Sequence, residues 1–360
     1  MIFYFLFFAS VFVFSNIKKI KLIKGFSFDG VAAAFFIIFI ISAFRFDVGY
    51  DYSMYYHLIV GDIKFIDNQL NRLELLSRAL IDFSHYITFI QLFFIVSSLL
   101  IVYAFYSTIK KYSIDPILST LVFISFPIYL FQSFSIVRQY IAVAIIFYSY
   151  RFIKTRKLGI YLLFVFFAFL FHKSALIAIP LYYLFSVHGY FKTIIFALYL
   201  LSFFSSDIIA YSIALFTDQY DLYIKGGAYG KGGDLLLIFF QVTGFFLLPI
   251  VYVLKVKNEK DLKFYLMCFY IGLFIWSSLS KFGHAGIRGS LYFMSFFILL
   301  IPYLKTKIKQ YYFIRYSLFV ICFFIFIFNL YIKSNHEIKD PNMPYQFYFN
   351  KSVIDLKPNE

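Results

Sequence analysis

The chain is poor in charged residues and rich in apolar ones. Lys, Arg, Asp and Glu together make up 14% of its 360 residues, whereas a soluble domain has about a quarter. Hydrophobic residues make up 62%, and the mean hydropathy is +0.82. This composition excludes an ordinary soluble globular domain and indicates a polytopic membrane protein.

Several signatures of other protein classes are also missing. The chain has two cysteines, Cys268 and Cys322, and both lie inside apolar runs, so neither a disulfide framework nor a thiolate metal site is predicted. No H-E-x-x-H, C-x-x-C or G-x-S-x-G pattern occurs, which argues against the common zinc and serine hydrolases. The 33 Lys and Arg residues form short clusters between apolar runs rather than one basic face, which argues against nucleic-acid binding.

Apolar runs divide the chain into about twelve predicted membrane-spanning helices. The first run lacks a basic segment before it and a small-residue cleavage site after it, so it is interpreted as a retained helix. The predicted fold class is therefore an all-α, polytopic integral membrane protein with one transmembrane domain over residues 1–360. The predicted spans are 2–15, 28–44, 86–108, 116–132, 137–153, 158–171, 174–187, 193–213, 234–254, 264–280, 290–304 and 312–332.

The distribution of charge orients these spans. If they alternate across the membrane, 19 of the 33 basic residues and only 4 of the 18 acidic residues lie on one side. The positive-inside rule assigns that side to the cytoplasm, so both termini are predicted to be outside. The segment 158–187 is either two short crossings or a re-entrant hairpin around His172. The outer segments long enough to carry function are 45–85, with an expected amphipathic helix over 71–80, then 214–233 and the C-terminal tail 333–360.

The first outer motif follows the second span, where residues 43–56 combine Arg45 and Asp51 with a glycine and several tyrosines. A guanidinium can bind phosphate or diphosphate in a bidentate manner, which favours an anion site. The alternative is an aromatic belt in which a local Arg–Asp pair caps the end of the helix. The residues of this motif leave both interpretations open.

Three further motifs also lie on the outer side. Arg138 opens an apolar helix, where a cation opposes the helix dipole, so a ligand site competes with a simple interfacial anchor. His172 and Lys173 lie at a membrane boundary, where a single histidine is usually a satisfied polar residue. The glycine-rich run that ends in Arg288 is either a phosphate cradle made of backbone N–H groups or an ordinary flexible turn.

The joint order of these motifs resembles the EpsG family, which groups with Wzy-type O-antigen and exopolysaccharide polymerases. The matching elements are Arg45-x-x-x-Gly49-x-Asp51-x-x-x-Tyr55, residues 136–142, the basic turn with Lys154, Arg156 and Lys157, and residues 171–176. Glu74 looks like the acidic residue that the family carries in its first outer loop, and Arg288 lies where a late outer arginine is usual. The resemblance covers residues 30–305 and gives no counterpart for the C-terminal tail.

The resemblance implies a membrane glycosyltransferase that joins oligosaccharide repeat units carried on undecaprenyl diphosphate. The reaction is expected at the outer leaflet of a bacterial inner membrane, in the synthesis of exopolysaccharide or of the O-antigen of lipopolysaccharide. The implied partners are the lipid-linked oligosaccharide, the bilayer, and a chain-length regulator and flippase of the same pathway. Neither a cofactor nor a metal is expected.

The same chemistry suggests roles for individual residues. Departure of the diphosphate develops negative charge, which fixed cations in a water-poor site stabilise best. The acceptor hydroxyl needs a general base, and Asp51 is favoured because it stands six residues from Arg45 in the same turn. The candidates for diphosphate binding are Arg45, Arg138, Lys173 and Arg288, and those for the base are Asp51, Glu74 and His172.

Two other functions remain open at this point. A flippase for lipid-linked oligosaccharides would need cationic residues deep in a central cavity, whereas these arginines lie at the outer ends of helices. A membrane acyltransferase would use His172 as its base but would draw its acyl donor from the cytoplasm, where the predicted inner face offers only His188. A purely structural scaffold gives no reason for arginines at the outer ends of spans.

Overall fold

A computed structural model describes residues 1–18, 20–23, 26–62, 73–187, 189–214, 234–253, 259–282, 284–305, 311–334, 342–349, 351 and 356. Of the predicted outer segment 214–233, all residues after 214 lie outside the described ones. The outer segment 45–85 is described apart from 63–72. The C-terminal tail is described as the end of a helix and then mainly over 342–349.

The described chain is helical with very little sheet, which confirms the all-α prediction. Two antiparallel pairs of short strands occur, β1 (Ile20–Ile23) with β2 (Phe26–Phe28) and β3 (Arg45–Phe46) with β4 (Gln346–Phe347). Short 3₁₀ helices cover Lys173–Ala178 and Ser280–Phe282. The α-helices are α1 (Ile2–Asn16), α2 (Gly30–Ala43), α3 (Tyr52–Val60), α4 (Leu75–Tyr86), α5 (Gln91–Tyr112), α6 (Pro116–Ser125), α7 (Leu130–Ser135), α8 (Val137–Lys154), α9 (Leu158–Phe171), α10 (Leu181–Leu184), α11 (Phe191–Ala214), α12 (Asp234–Val253), α13 (Lys260–Ser278), α14 (Ala285–Met294), α15 (Phe297–Lys305) and α16 (Tyr311–Ser334).

Within the described ranges, four helices are long and apolar enough to cross a membrane, namely α5, α11, α12 and α16. A fifth span arises if α14 and α15, which are bent by 51° at a short break, count as one. Other apolar segments form helices of 10–17 residues. The 14 residues of α2 rise about 21 Å, less than a hydrocarbon core of about 30 Å. The count of about twelve spans therefore stays a prediction.

Large apolar side chains cover the outside of the helices. A soluble protein rarely exposes apolar surface on this scale, so the exposed rings agree with contact to lipid. Examples that are more than half exposed are Phe36, Phe166, Phe204, Phe246 and Phe324.

The described residues form two compact units. The first comprises Met1–Tyr150, Leu162–Leu176 and Ile301–Glu360, and the second comprises Arg151–Tyr161 and Ile177–Leu300. In the first unit α8 is buried on all sides, since residues 140–144 are at most 1% exposed. That burial holds the start of α8, which carries Arg138, in a fixed position. A single transmembrane domain over the whole chain stays a prediction.

The second unit packs around α13, which contacts α11 and α14. Ser278 Oγ donates a hydrogen bond to Ser205 Oγ at 2.7 Å, and Tyr270 OH donates to the Gly244 carbonyl oxygen at 2.7 Å. Small hydroxyl side chains let helices approach closely, and polar groups surrounded by lipid need partners within the protein. These bonds therefore fix the helix contacts of this unit.

Candidate functional site

The first two outer motifs pack directly against each other. After β3 the chain turns through Gly49, whose φ is +102°, before α3 begins. A Cβ added at Gly49 would lie 2.0 Å from the carbonyl oxygen of Phe134, so only glycine fits the turn. The Tyr50 N–H donates to Ser135 Oγ at 3.2 Å. The turn that carries Asp51 is thereby fixed on α7, just before Arg138.

Arg138, the second residue of α8, is held by two side chains from other elements. Its Nη1 donates to Glu74 Oε2 at 2.5 Å, and its Nε donates to Tyr55 OH at 3.0 Å. Glu74 is the N-cap residue of α4 but makes no capping bond to its own helix. Its carboxylate instead compensates a cation that opposes the dipole of α8. Arg138 is thus unfavourably placed with respect to its own helix, as expected, but the carboxylate of a residue 64 positions away compensates its charge.

The third motif joins the same group. The Lys173 backbone N–H donates to Glu74 Oε1 at 3.3 Å, so both oxygens of this carboxylate accept a hydrogen bond. Ser77 Oγ donates to the Phe171 carbonyl oxygen at 3.0 Å, which fastens α4 to the end of α9. We call Tyr55, Glu74, Arg138 and Lys173 the Arg138 cluster.

A second set of polar contacts borders this cluster. Ser174 Oγ lies 2.7 Å from His172 Nδ1 and accepts a hydrogen bond from Gln139 Nε2 at 3.3 Å. Because Gln139 follows Arg138 in α8, the histidine is linked to the helix that carries the arginine. The structure thus brings His172 to the cluster, although it was selected from a separate motif.

Asp51 also belongs to this region. It interacts electrostatically with both Arg138 and Tyr55, and it is half-buried. Burial raises the pKa of Tyr55 and outweighs the opposing effect of Arg138, so the phenol stays neutral and its oxygen accepts the Arg138 N–H. Five of the seven candidate residues are therefore close together, namely Asp51, Glu74, Arg138, His172 and Lys173.

Sequence reasoning did not assign roles to Tyr55, Gln139 and Ser174. Tyr55 follows Asp51 by four residues at the start of α3, a spacing that places two residues on one helix face. That spacing was the available signal for Tyr55. Gln139 and Ser174 each adjoin a selected residue, but only the packing shows that they hydrogen-bond to each other.

Arg45 is separate from the cluster and almost completely buried, at 2% exposure. Its guanidinium lies between the rings of Phe94 and Phe134, at 5.0 and 4.9 Å from their centroids. Its Nε donates to the Val48 carbonyl oxygen at 3.2 Å, and Nη1 donates to the Ser42 carbonyl oxygen. The space beside it has no room for a water molecule.

Two consequences follow for Arg45. Burial lowers its pKa to about 10, so it stays charged at neutral pH. Its hydrogen-bond partners in the described part of the chain are carbonyl oxygens and the Ser98 hydroxyl, and they include no carboxylate. The contacts of Arg45 therefore differ from the local Arg–Asp pair that the sequence offered as the alternative to an anion site.

The C-terminal tail packs on the strand that contains Arg45. In the β3–β4 pair, Arg45 is opposite Phe347. Tyr345 OH donates to the Ile41 carbonyl oxygen at 2.7 Å, near the end of α2. Residues 342–349 thus cover the first outer motif, a contact that sequence reasoning did not foresee.

Arg288 lies in the second unit, exposed on α14. The preceding His284 has its pKa lowered, first by partial burial and then by Arg288. A Cβ on Gly286 would lie 2.4 Å from the Trp276 carbonyl oxygen, so this glycine permits the close approach of α14 to α13. Gly283, the other glycine of the turn, lies outside the described residues. A phosphate cradle at this turn stays a prediction.

No group of three or more His, Cys, Asp and Glu side chains suited to a metal ion occurs among the residues that the structure describes. The expected independence of metal and cofactor is not tested by this observation. What the arrangement offers chemically is a guanidinium oriented by a carboxylate and a phenol, with a second carboxylate and an imidazole nearby. Lys173 joins it through its backbone N–H.

Comparison with known protein families matches residues 31–347 to the EpsG family. The match begins in α2 and ends at β4, so it includes every element of the Arg138 cluster and the docked part of the tail. It therefore extends past residue 305, where the resemblance noted from the motifs ended. Neither the curated proteins nor the solved structures gave a significant match.

Proposed function

The chain belongs to the EpsG family, and from this membership together with the Arg138 cluster we propose that it is a polysaccharide polymerase. It would join oligosaccharide repeat units carried on undecaprenyl diphosphate at the outer leaflet of the inner membrane, as in O-antigen or exopolysaccharide synthesis. The family indicates a membrane protein of the polymerase type. The observation that supports the specific chemistry is an arginine held in a fixed direction beside several polar groups.

The proposed reaction moves the growing chain from its lipid diphosphate to a hydroxyl of the next lipid-linked unit. The acceptor oxygen forms a bond to the anomeric carbon. The bond from that carbon to the diphosphate oxygen breaks, and its electron pair leaves with the diphosphate. The hydroxyl proton passes to a base in the protein. The charge that develops on the departing diphosphate is the quantity that the site must stabilise.

Arg138 is the first candidate for this stabilisation. Of the five N–H donors of a guanidinium, its described bonds use one at Nε and one at Nη1. The remaining donors fit the bidentate recognition of a diphosphate. Glu74 and Tyr55 set the direction of the guanidinium before substrate binds, so little reorganisation is needed in the transition state. Lys173 is exposed and adds a second charge.

Asp51 remains the preferred general base. Glu74 accepts hydrogen bonds with both oxygens, which suits a residue that anchors Arg138. His172 Nδ1 is engaged with Ser174. Asp51 lies half-buried within electrostatic range of Arg138, next to the charge that the substrate diphosphate would neutralise. Glu74 and His172 stay as second candidates.

Arg45 and Arg288 are also proposed to serve the diphosphate chemistry, each in a different way. Because Arg45 is enclosed by protein, it would act through its charge and by clamping the turn that leads to Asp51. Arg288 is exposed and would contact the diphosphate directly. Both assignments rest on charge and exposure and are open to substitution experiments.

Disruption of the gene followed by gel analysis of surface polysaccharide tests the proposed function against its alternatives. Loss of a polymerase collapses a long ladder to a single repeat unit. Loss of a flippase removes even the single unit, and loss of an acyltransferase leaves the ladder at its normal length. The proposal expects the collapse, restored by the wild-type gene and not by one carrying Arg138→Lys.

A further inference from the structure

A second polar region of the first unit lies away from the Arg138 cluster. It is a cleft of about 460 Å³ where the ends of α1 and α5 meet the starts of α2, α6 and α16. Pockets for small ligands have volumes of about 300–1,000 Å³, so the cleft can hold a molecular headgroup. The charged residues that line it are Lys18, Asp29, Lys110, Asp115 and Arg315.

The two carboxylates of the cleft serve the fold. Asp29 accepts a hydrogen bond from the Ala32 N–H at 2.8 Å as the N-cap of α2, and it forms an ion pair with Lys110. Asp115 caps α6 in the same manner, and it accepts a hydrogen bond from Arg315 Nε at 2.8 Å. Asp29 therefore holds Lys110, and Asp115 holds Arg315, in fixed positions at the wall of the cleft.

The cations of the cleft have further N–H donors that these described bonds do not use. The described bond of Arg315 uses Nε, and the four N–H groups on its two Nη atoms make the fork that fits a phosphate. Lys18 is exposed and has no carboxylate partner among the described residues. Among the described residues that line the cleft, three cations against two carboxylates leave a net charge of +1. A phosphodiester, which carries one negative charge, matches this excess.

The surroundings of the cleft are apolar and interfacial. Tyr312 and Phe313 at the start of α16 are 72% and 71% exposed, and Ile114 at the end of α5 is 48% exposed. Both α5 and α16 are long enough to span the bilayer. Exposed aromatic rings at the end of such a helix mark the level of the lipid headgroups. A bound phosphodiester would therefore have its acyl chains beside apolar side chains.

From the cleft, its charge balance and its apolar border, we propose that it binds the phosphodiester headgroup of an anionic phospholipid of the bilayer. The site is independent of the polymerase proposal, since it shares none of its residues. Basic pockets between membrane helices recognise lipid headgroups in this way. Lys18 and the Nη groups of Arg315 are assigned to the phosphate, with Lys110 as the third cation.

Binding of a fluorescent phosphatidylglycerol to the purified full-length protein in neutral detergent tests the site. Lys18→Gln removes the charge of Lys18, and Arg315→Lys keeps the charge beside Asp115 but removes the fork. Each variant should weaken binding about tenfold, as expected for the loss of one charge-assisted bond. Lys111→Gln is the matched control, because Lys111 is exposed one residue beyond Lys110 and does not line the cleft. Phosphatidylcholine should compete poorly.

Three results would overturn the proposal. Equal binding of phosphatidylcholine would show that the headgroup charge is not recognised. An equal effect of Lys111→Gln and Lys18→Gln would indicate diffuse attraction to a basic surface. Displacement of the labelled lipid by glycerol 3-phosphate would assign the cleft to a soluble phosphate compound. Thermal unfolding in the same detergent checks that Arg315→Lys, which retains a partner for Asp115, is still folded.

Discussion

Arg138 and Glu74 form a charged hydrogen bond of 2.5 Å between the start of α8 and the residue that precedes α4. Their side chains are only 21% and 9% exposed, so the pair is shielded from much of the solvent. Tyr55 holds the same guanidinium from a third element. The pair therefore links the segment that follows α2 to a buried helix of the first unit, and it orients the arginine that the proposed chemistry needs.

Arg138→Lys should abolish long-chain polymer while the amount of protein in the membrane stays near normal. A lysine supplies a point charge but cannot bind Glu74, Tyr55 and a diphosphate with one planar fork. Gel analysis of surface polysaccharide and an immunoblot of the membrane fraction measure the two quantities. Arg78→Lys is the matched control, because Arg78 lies on α4 with its side chain 50% exposed in a surface pair. Polymer of normal length from the Arg138→Lys strain would rule out bidentate binding of the diphosphate by Arg138.

Glu74→Gln should lower both the activity and the thermal stability of the purified protein. It keeps the shape of the side chain but leaves Arg138 without its compensating charge at the helix start. The coupling between Glu74→Gln and Arg138→Gln in a double-mutant cycle should be about 1.5–3 kcal/mol, the range for hydrogen bonds to charged groups. Additive effects of the two substitutions on unfolding would show that the pair contributes no interaction energy.

Asp51→Asn should stop turnover while lipid-linked substrate still binds. The amide keeps the size of the carboxylate and can still form hydrogen bonds, but it cannot accept a proton. Arg138→Ala should instead weaken substrate binding, because the diphosphate loses a charge-assisted partner. Both quantities are measured on purified, detergent-solubilised protein. If Asp51→Asn keeps normal activity per folded molecule, the base is Glu74 or His172.

Gly49→Ala should sharply reduce the amount of folded protein. The residue has φ +102°, and its added Cβ would meet the Phe134 carbonyl oxygen at 2.0 Å, so both the backbone conformation and the contact with α7 are lost. Gly159→Ala is the control, because Gly159 lies in α9 and a Cβ there meets nothing within 4 Å. That substitution should be neutral or stabilising by up to about 1 kcal/mol. Equal thermal unfolding of the two variants would contradict the assigned role of the turn.

The local parts of the site could be predicted from the sequence. Arg138 was selected because a cation at the start of α8 opposes the helix dipole. The glycine in the first outer motif predicted a turn. The amphipathic helix was expected over 71–80, and the structure begins it at Leu75 and ends it at Tyr86. Glu74 adopts extended dihedral angles as the N-cap, which explains why the helix starts one residue after it.

The long-range parts of the site could not be predicted from local pattern. Arg45 follows a span and suggests an exposed cation, yet rings from α5 and α7 enclose it. The two-residue strand β4 is too short to carry a periodic signal, so its pairing with β3 was not foreseen. Likewise, the bond between Glu74 and Arg138 depends on how α4, α8 and α9 pack. Such contacts follow from the tertiary structure rather than from any one motif.

The most direct test of the proposed polymerase activity is an assay of purified protein with synthetic repeat units linked to undecaprenyl diphosphate. If the chain is a polymerase, the wild-type protein lengthens the oligosaccharide and releases one undecaprenyl diphosphate for each bond formed. We expect folded Arg138→Lys protein to do neither and Arg78→Lys protein to do both. The contradicting result is wild-type protein that binds the lipid-linked unit, or moves it across a vesicle membrane, without lengthening the oligosaccharide.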